Sequence, residues 1–71
     1  MNIGKELKYQ REIRHYSQSK VAEKTGISQP QLSYYESGLH IPPIDLCIKL
    51  ADFYDISLDE LVGRGEFERK K

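Results

Sequence analysis

The 71-residue chain contains one cysteine, one methionine, three prolines and no tryptophan, and it has no long apolar run. Each shortage excludes something. A lone Cys47 rules out an internal disulfide. One Cys with two distant histidines, His15 and His40, falls short of the ligand count of a structural zinc site. No metal and no cofactor are expected. No stretch approaches the roughly 18 apolar residues of a membrane span, and no signal peptide opens the chain. The expectation is therefore no membrane role and a cytoplasmic location. Catalytic equipment is missing too. There is no Cys/His or Ser/His/Asp set beside a plausible pocket, no Gly-rich phosphate loop, and little room for a cleft. The chain is not expected to be an enzyme.

A chain of this size buries only about 60% of the surface its unfolded form exposes. Without a disulfide or metal, economical helix packing remains, alone or with a second subunit. Charge of one sign is also lacking, because 11 basic side chains meet 11 acidic ones. A net charge of zero argues at face value against a nucleic-acid partner, but the distribution is uneven. Residues 1–40 carry six basic groups (Lys5, Lys8, Arg11, Arg14, Lys20, Lys24) against four acidic ones, a net +2. Residues 41–68 carry two against seven, a net −5, and Arg69-Lys70-Lys71 adds +3. A local field follows the distribution, not the sum. Ordinary surface solvation is the plain alternative.

What is present is helical periodicity. Asn2 is placed to cap a first helix with Ile3 and Leu7 on one face, ending near Arg14-His15. Ser17 caps a second helix carrying Val21 and Ala22, and Gly26 stops it. Ser28-Gln29-Pro30-Gln31 has capping-box spacing, with Pro30 in the first turn where its missing N–H costs nothing. That third helix turns Leu32 and Tyr35 inward and ends at Ser37-Gly38. Pro42-Pro43 forces an extended link. A fourth helix then carries one stripe of Ile44, Cys47, Leu50, Ala51 and Tyr54. Ser57-Leu58-Asp59-Glu60 starts a fifth helix through Leu61 and Val62, broken by Gly63 and Gly65. The expected fold is all-α. It has one compact five-helix domain over residues 1–63, a polar tail over residues 64–71, and no effector domain.

The second and third helices form a helix-turn-helix. Ala22 is small where the third helix crosses, and Gly26 permits a left-handed turn. Ile27, Leu32 and Tyr35 seat the third helix on the core. Its outer, N-terminal side then exposes Gln29, Pro30, Ser33 and Tyr34, the side that enters the DNA major groove in helix-turn-helix proteins.

These residues resemble the phage repressor/Cro-type (XRE-type) regulators, which have a lambda-repressor-like domain. The matching stretches are Ser17-Gln18, Val21-Ala22-Glu23-Lys24, Gly26-Ile27-Ser28, Tyr35-Glu36-Ser37-Gly38, Ile41-Pro42, Leu50-Ala51-Asp52 and Ile56 to Leu61, in order and with the family's spacing. The resemblance covers about residues 3–63. It implies that Gln29 is the main base reader, with Pro30, Ser33 and Tyr34 at neighbouring readout positions. It implies that Ser17, Gln18, Ser28, Ser37 and His40 meet the DNA backbone, and that Gln18 braces Gln29. It also implies a structural ion pair, Arg11–Glu36, joining the first and third helices. Arg14 and Lys20 fall nearest the implied DNA face. Three departures stand out. His15 replaces a residue that is commonly Gly, Gln10 replaces an apolar one, and Leu39-His40 replaces a Lys or Arg. The last weakens the phosphate grip and makes it pH-dependent.

Several residues have a second reading. Cys47 is a buried thiol or a redox sensor. His40 is a solvated loop residue or a phosphate contact. Tyr9, Tyr16 and Tyr54 belong to core or rim. Leu58 and Val62 complete the core or make a dimer contact. The expected function is sequence-specific binding of a double-stranded DNA operator by a homodimeric transcriptional regulator, a repressor. The alternative is an antitoxin or adaptor-type subunit that meets a protein partner through its acidic half or tail.

Overall fold

The computed structural model describes residues 3–62, which form five helices and no strand. These are α1 (Ile3–Ile13), α2 (Gln18–Thr25), α3 (Gln29–Ser37), α4 (Ile44–Tyr54) and α5 (Leu58–Val62). The Asn2 cap, the Gly63-Gly65 break and the tail lie outside the described residues.

Local chemistry sets the helix starts. Ser17 Oγ accepts from the Lys20 N–H at 3.0 Å, and Ser28 Oγ accepts from the Gln31 N–H at 3.3 Å. Ser57 and Glu60 form a reciprocal capping box. The Glu60 N–H donates to Ser57 Oγ at 3.0 Å and the Ser57 N–H donates to Glu60 Oε1 at 3.2 Å. Each such cap satisfies orphan donors and contributes about 1 kcal/mol.

The first four helices end on left-handed residues. Gly26 (φ 80°) and Gly38 (φ 85°) take this conformation without strain. His15 (φ 59°) and Asp55 (φ 58°) take it with a side chain attached. Around His15, the Tyr16 N–H reaches Arg11 O at 3.1 Å and the His15 N–H reaches Glu12 O at 3.0 Å. Around Asp55, the Ile56 N–H reaches Ala51 O at 3.0 Å and the Asp55 N–H reaches Asp52 O at 3.1 Å. Both are Schellman closures, whose paired hydrogen bonds hold a conformation that a β-carbon disfavours. The loop after α1 thus keeps the glycine-type geometry despite His15.

The core joins all five helices through Leu7, Val21, Ile27, Leu32, Tyr35, Cys47, Leu50, Ala51, Tyr54 and Leu61. Two expectations need correction. Ile44 does not belong to the α4 stripe, being 63% exposed. The buried set Cys47, Leu50, Ala51 and Tyr54 centres about 70° around the helix from Ile44, at about 100° per residue, which leaves Ile44 off the centre of the packed face. Tyr9 is neither core nor rim but exposed, whereas Tyr16 is half-buried against Phe53 and Tyr54 is buried. Of the two dimer candidates, Leu58 is half-buried on the core cluster and Val62 is half-buried.

Two close fits carry no sequence signature. A β-carbon on Gly4 would lie 2.6 Å from Tyr35 O and 2.8 Å from Glu36 O, so only glycine lets the start of α1 touch the end of α3. Thr25 is buried at the α2–α3 turn. Its hydroxyl donates to Val21 O at 2.7 Å and accepts from the Ile27 N–H at 3.3 Å. That pair of bonds fixes the angle at which α3 leaves α2.

Candidate nucleic-acid interface

The site begins in a partly buried ion pair. Arg11 Nε donates to Glu36 Oε2 at 2.8 Å and Arg11 Nη2 donates to Glu36 Oε1 at 2.9 Å. Arg11 Nη1 caps Tyr16 O at 2.9 Å. The side chains are only 13% and 5% exposed. The Glu36 hydrogen bond, opposed by burial, holds the Arg11 pKa above its ordinary value. The pair therefore fixes α1, the α1–α2 loop and α3 together.

A chain of amides leads outward from this pair. Gln18 Nε2 donates to Glu36 Oε1 at 3.1 Å, and Gln29 Nε2 donates to Gln18 Oε1 at 2.7 Å. Chemistry dictates the order. An ionised carboxylate only accepts, so Gln18 must turn its NH2 toward Glu36. Its carbonyl is left for Gln29, which must offer an N–H. Gln29 thereby presents an outward Oε1 and one free N–H at the first position of α3.

Pro30 is exposed beside Gln29, and Ser33 and Tyr34 follow one turn later on the same side. Ser33 is half-buried, in a shallow depression it shares with Lys8, Gln18, Glu36 and Ser37. Lys8 was not singled out in the sequence. It lies ten residues before Gln18, and only the α1–α3 packing brings it to this face. Tyr34 is 44% exposed, and its ring meets the His40 ring edge-on at 5.1 Å between centroids. The residues expected at the DNA backbone fall in two groups. Ser17, Gln18 and Ser28 sit at the N-terminal starts of α2 and α3, where N–H groups suit an anion. Ser37 and His40 sit at the carbonyl end of α3. There the Ser37 hydroxyl donates to Tyr34 O at 3.0 Å, and the His40 ring is held against Tyr34.

Arg14 does not belong to this face. Its Nη1 donates to Gln10 O and Oε1, both at 2.7 Å, its Nη2 donates to Tyr54 O, and its guanidinium lies over the Tyr54 ring. It ties the end of α1 to the end of α4. The same network accommodates Gln10, which is buried and also donates to Glu6 Oε2 at 2.7 Å. Lys20 lies over the Tyr16 ring at 5.3 Å. Cys47 is buried, with Sγ 3.5 Å from Pro42 O, and burial followed by Asp45 pushes its thiol pKa up. A raised pKa suppresses the reactive thiolate, which favours the buried-thiol reading.

Five helices, a tight α2–α3 turn and an outward polar edge on α3 define a helix-turn-helix protein. A family model described as helix-turn-helix matches residues 7–61. The chain belongs to that family, of the phage-repressor (XRE) type. It is 39% identical over 70 residues to the HTH-type transcriptional regulator ImmR of Bacillus subtilis, covering 99% of this chain and 55% of that protein. It is 39% identical over 64 residues to the cryptic phage CTXphi transcriptional repressor RstR of Vibrio cholerae, covering 90% and 57%. It is 29% identical over 55 residues to an uncharacterized HTH-type transcriptional regulator, MJ0272, of Methanocaldococcus jannaschii, covering 78% and 83%. The chain thus spans little more than half the length of the first two relatives.

Proposed function

We propose that this protein is a transcriptional regulator, a repressor, that binds a double-stranded DNA operator in sequence-specific fashion. It acts in the cytoplasm as a homodimer and performs no catalysis. Residues 1–63 are the DNA-binding domain, and residues 64–71 form a tail outside it. Relatives named as regulators and as a phage repressor support this reading and do not favour the antitoxin or adaptor alternative.

The observation that carries the proposal is the amide chain from Glu36 through Gln18 to Gln29. In the major groove adenine offers N6–H as donor and N7 as acceptor. Gln29 Oε1 accepts from N6, and its free N–H donates to N7. Guanine offers two acceptors, N7 and O6, and would leave Oε1 opposed to an acceptor. Because Gln18 blocks rotation of the amide, Gln29 is set for adenine before it meets DNA. Pro30 makes apolar contact, for example with a thymine methyl. Ser33 and Tyr34 read the next positions. Phosphates are met at the starts of α2 and α3 by Ser17, Gln18 and Ser28, and beyond α3 by Ser37 and His40.

The zero net charge has a consequence for affinity. Phosphate contacts from Lys and Arg dominate non-specific binding, and this chain has few to spare. Discrimination therefore rests on base contacts and on pairing two copies. The test is selection of bound sites from random DNA at several salt concentrations. An enriched motif containing an adenine that Gln29→Ala makes indifferent is expected. A salt-independent affinity, or no enriched motif, overturns the proposal.

A further inference from the structure

We infer that Lys8, on α1, is a further DNA-backbone residue of this protein, meeting the phosphate that borders the base step read by Ser33. The inference rests on the DNA-binding reading and adds to that site a cation from outside the helix-turn-helix.

Packing puts Lys8 there. Gly4, Lys8 and Arg11 follow at spacings of four and three, which turns them toward one side of α1. Gly4 lies against Tyr35 O and Glu36 O, and Arg11 binds Glu36. Lys8 stands between these two anchors, so α1 holds it at the shoulder of α3. It is exposed, and it lines the depression that also takes in Gln18, Ser33 and Ser37.

Its charge is available. Lys8 makes no ion pair or hydrogen bond among the described residues. Glu36 supplies the carboxylate of the depression, and its oxygens already accept from Arg11 Nε, Arg11 Nη2 and Gln18 Nε2. Arg11 and Glu36 cancel, so the depression keeps the positive charge of Lys8. Two other cations of the N-terminal half are engaged elsewhere. Arg14 is tied to the end of α4, and Lys20 lies over the Tyr16 ring.

A phosphate at this place needs that charge. Ser33, Glu36 and Ser37 belong to the second half of α3, whose carbonyl end carries partial negative charge. The Ser37 hydroxyl is neutral and already donates to Tyr34 O. A recognition helix lies in the major groove, so a side chain standing beside it on α1 meets the strand that borders the groove. An ammonium on a flexible stem is a point charge with three donors. It grips a phosphate and reads no base. In a chain of zero net charge, one such contact carries a large share of the salt dependence.

The test measures binding of the full chain to its selected site at several salt concentrations, with interference by singly ethylated phosphates. Lys8→Gln alters an exposed position, so it should keep the wild-type melting temperature and the wild-type motif. It should reduce the slope of log affinity against log salt by about 0.9, one phosphate's worth, and cost about 5-fold in affinity at about 0.15 M salt. The loss should be equal for all sequences, and one phosphate should drop out of the interference pattern. Lys8→Arg should keep the slope. Lys24→Gln removes the same charge from the last turn of α2 and should leave the slope unchanged. The inference is overturned if Lys8→Gln keeps the wild-type slope and the full interference pattern. It is equally overturned if Lys24→Gln lowers the slope as much, or if Lys8→Gln alters discrimination at a single base pair. In each of those cases wild type still binds its motif, and the proposed function stands. A wild type that selects no motif removes the proposed function, and the role of Lys8 falls with it.

Discussion

The two ends of α3 are built from opposite materials. At its N-terminal end, Gln29 is held by Gln18, Glu36 and Arg11 in one hydrogen-bonded chain that begins in a partly buried ion pair. At its C-terminal end, Tyr34 rests on His40, and the chain leaves through exposed Leu39 and Ile41. The first end is fixed by directional bonds that leave one amide orientation. The second is held by ring contacts and a glycine cap, and it leaves apolar surface uncovered. One helix of nine residues thus carries two kinds of surface. A polar, preset end suits choosing a base. An apolar end suits meeting another surface.

Breaking the N-terminal end at its root should have the largest effect. Glu36→Ala leaves Arg11 charged and unpaired, and removing one partner of such a pair costs about 3–5 kcal/mol. Urea denaturation should show that loss. If the loss is under 1 kcal/mol, the pair does not organise the domain. Glu36→Gln is the finer cut. It should lower stability less but release the Gln18 amide, so that selection from random DNA shows a weakened preference for adenine over guanine at the Gln29 position.

Gly4→Ala tests how the two ends share a support, because Gly4 lies against Tyr35 O and Glu36 O. A β-carbon there should cost about 1–3 kcal/mol by overpacking, seen as a lower midpoint in thermal melts. It should also weaken DNA binding, because Glu36 moves with it. An unchanged midpoint would mean that the α1–α3 approach is looser than the 2.6 Å spacing requires.

At the C-terminal end the effects should be smaller. Removing the phosphate contact proposed for His40 by His40→Ala should weaken binding about equally for all sequences, while Gln29→Ala costs about 1–3 kcal/mol at one base position. Competition assays on single-base variants of the operator separate the two patterns. If His40→Ala alters discrimination at one base pair, the division between the two ends fails.

The last effect concerns the core that both ends stand on. Burial pushes the Tyr54 pKa up to about 12 from 10. The folded state keeps this proton through a range where the unfolded chain releases it. The contribution is thus fully present below pH 10 and is lost as pH rises toward 12. Melts between pH 8 and 11 should fall most above pH 10, and Tyr54→Phe should flatten that limb. An equal alkaline slope in the variant would assign the loss to other groups.

Much of this domain was legible because its signals are local. Ser17, Ser28 and Ser57 cap the helices they were expected to cap, Gly26 and Gly38 close two more ends, and the buried positions of α3 and most of those of α4 follow the helical period. The Arg11–Glu36 pair, 25 residues apart, had no local signal and came into view through the family resemblance. What stayed hidden was set by distant backbone. Gly4 reads as an ordinary helix residue until α3 lies against it. Asp55 gives no warning of positive φ, and at position 15 only the family's usual Gly hints at it; closure bonds impose the conformation at both. Arg14 reads as a surface cation until Tyr54 O and the Tyr54 ring claim it.

The sequence by itself therefore determined where helices start and stop, which family the chain joins, and which face of α3 is polar. All three depend on neighbours within a turn or two, or on a pattern spread along the chain. The tertiary structure alone decided the orientation of the Gln29 amide, the arrival of Lys8 beside Ser33, and the exposure of Ile44. Each depends on which surfaces meet in space. A hydrogen bond needs its partner within about 3 Å, and apolar burial needs a neighbour to exclude water. Neither partner is written beside the residue it serves.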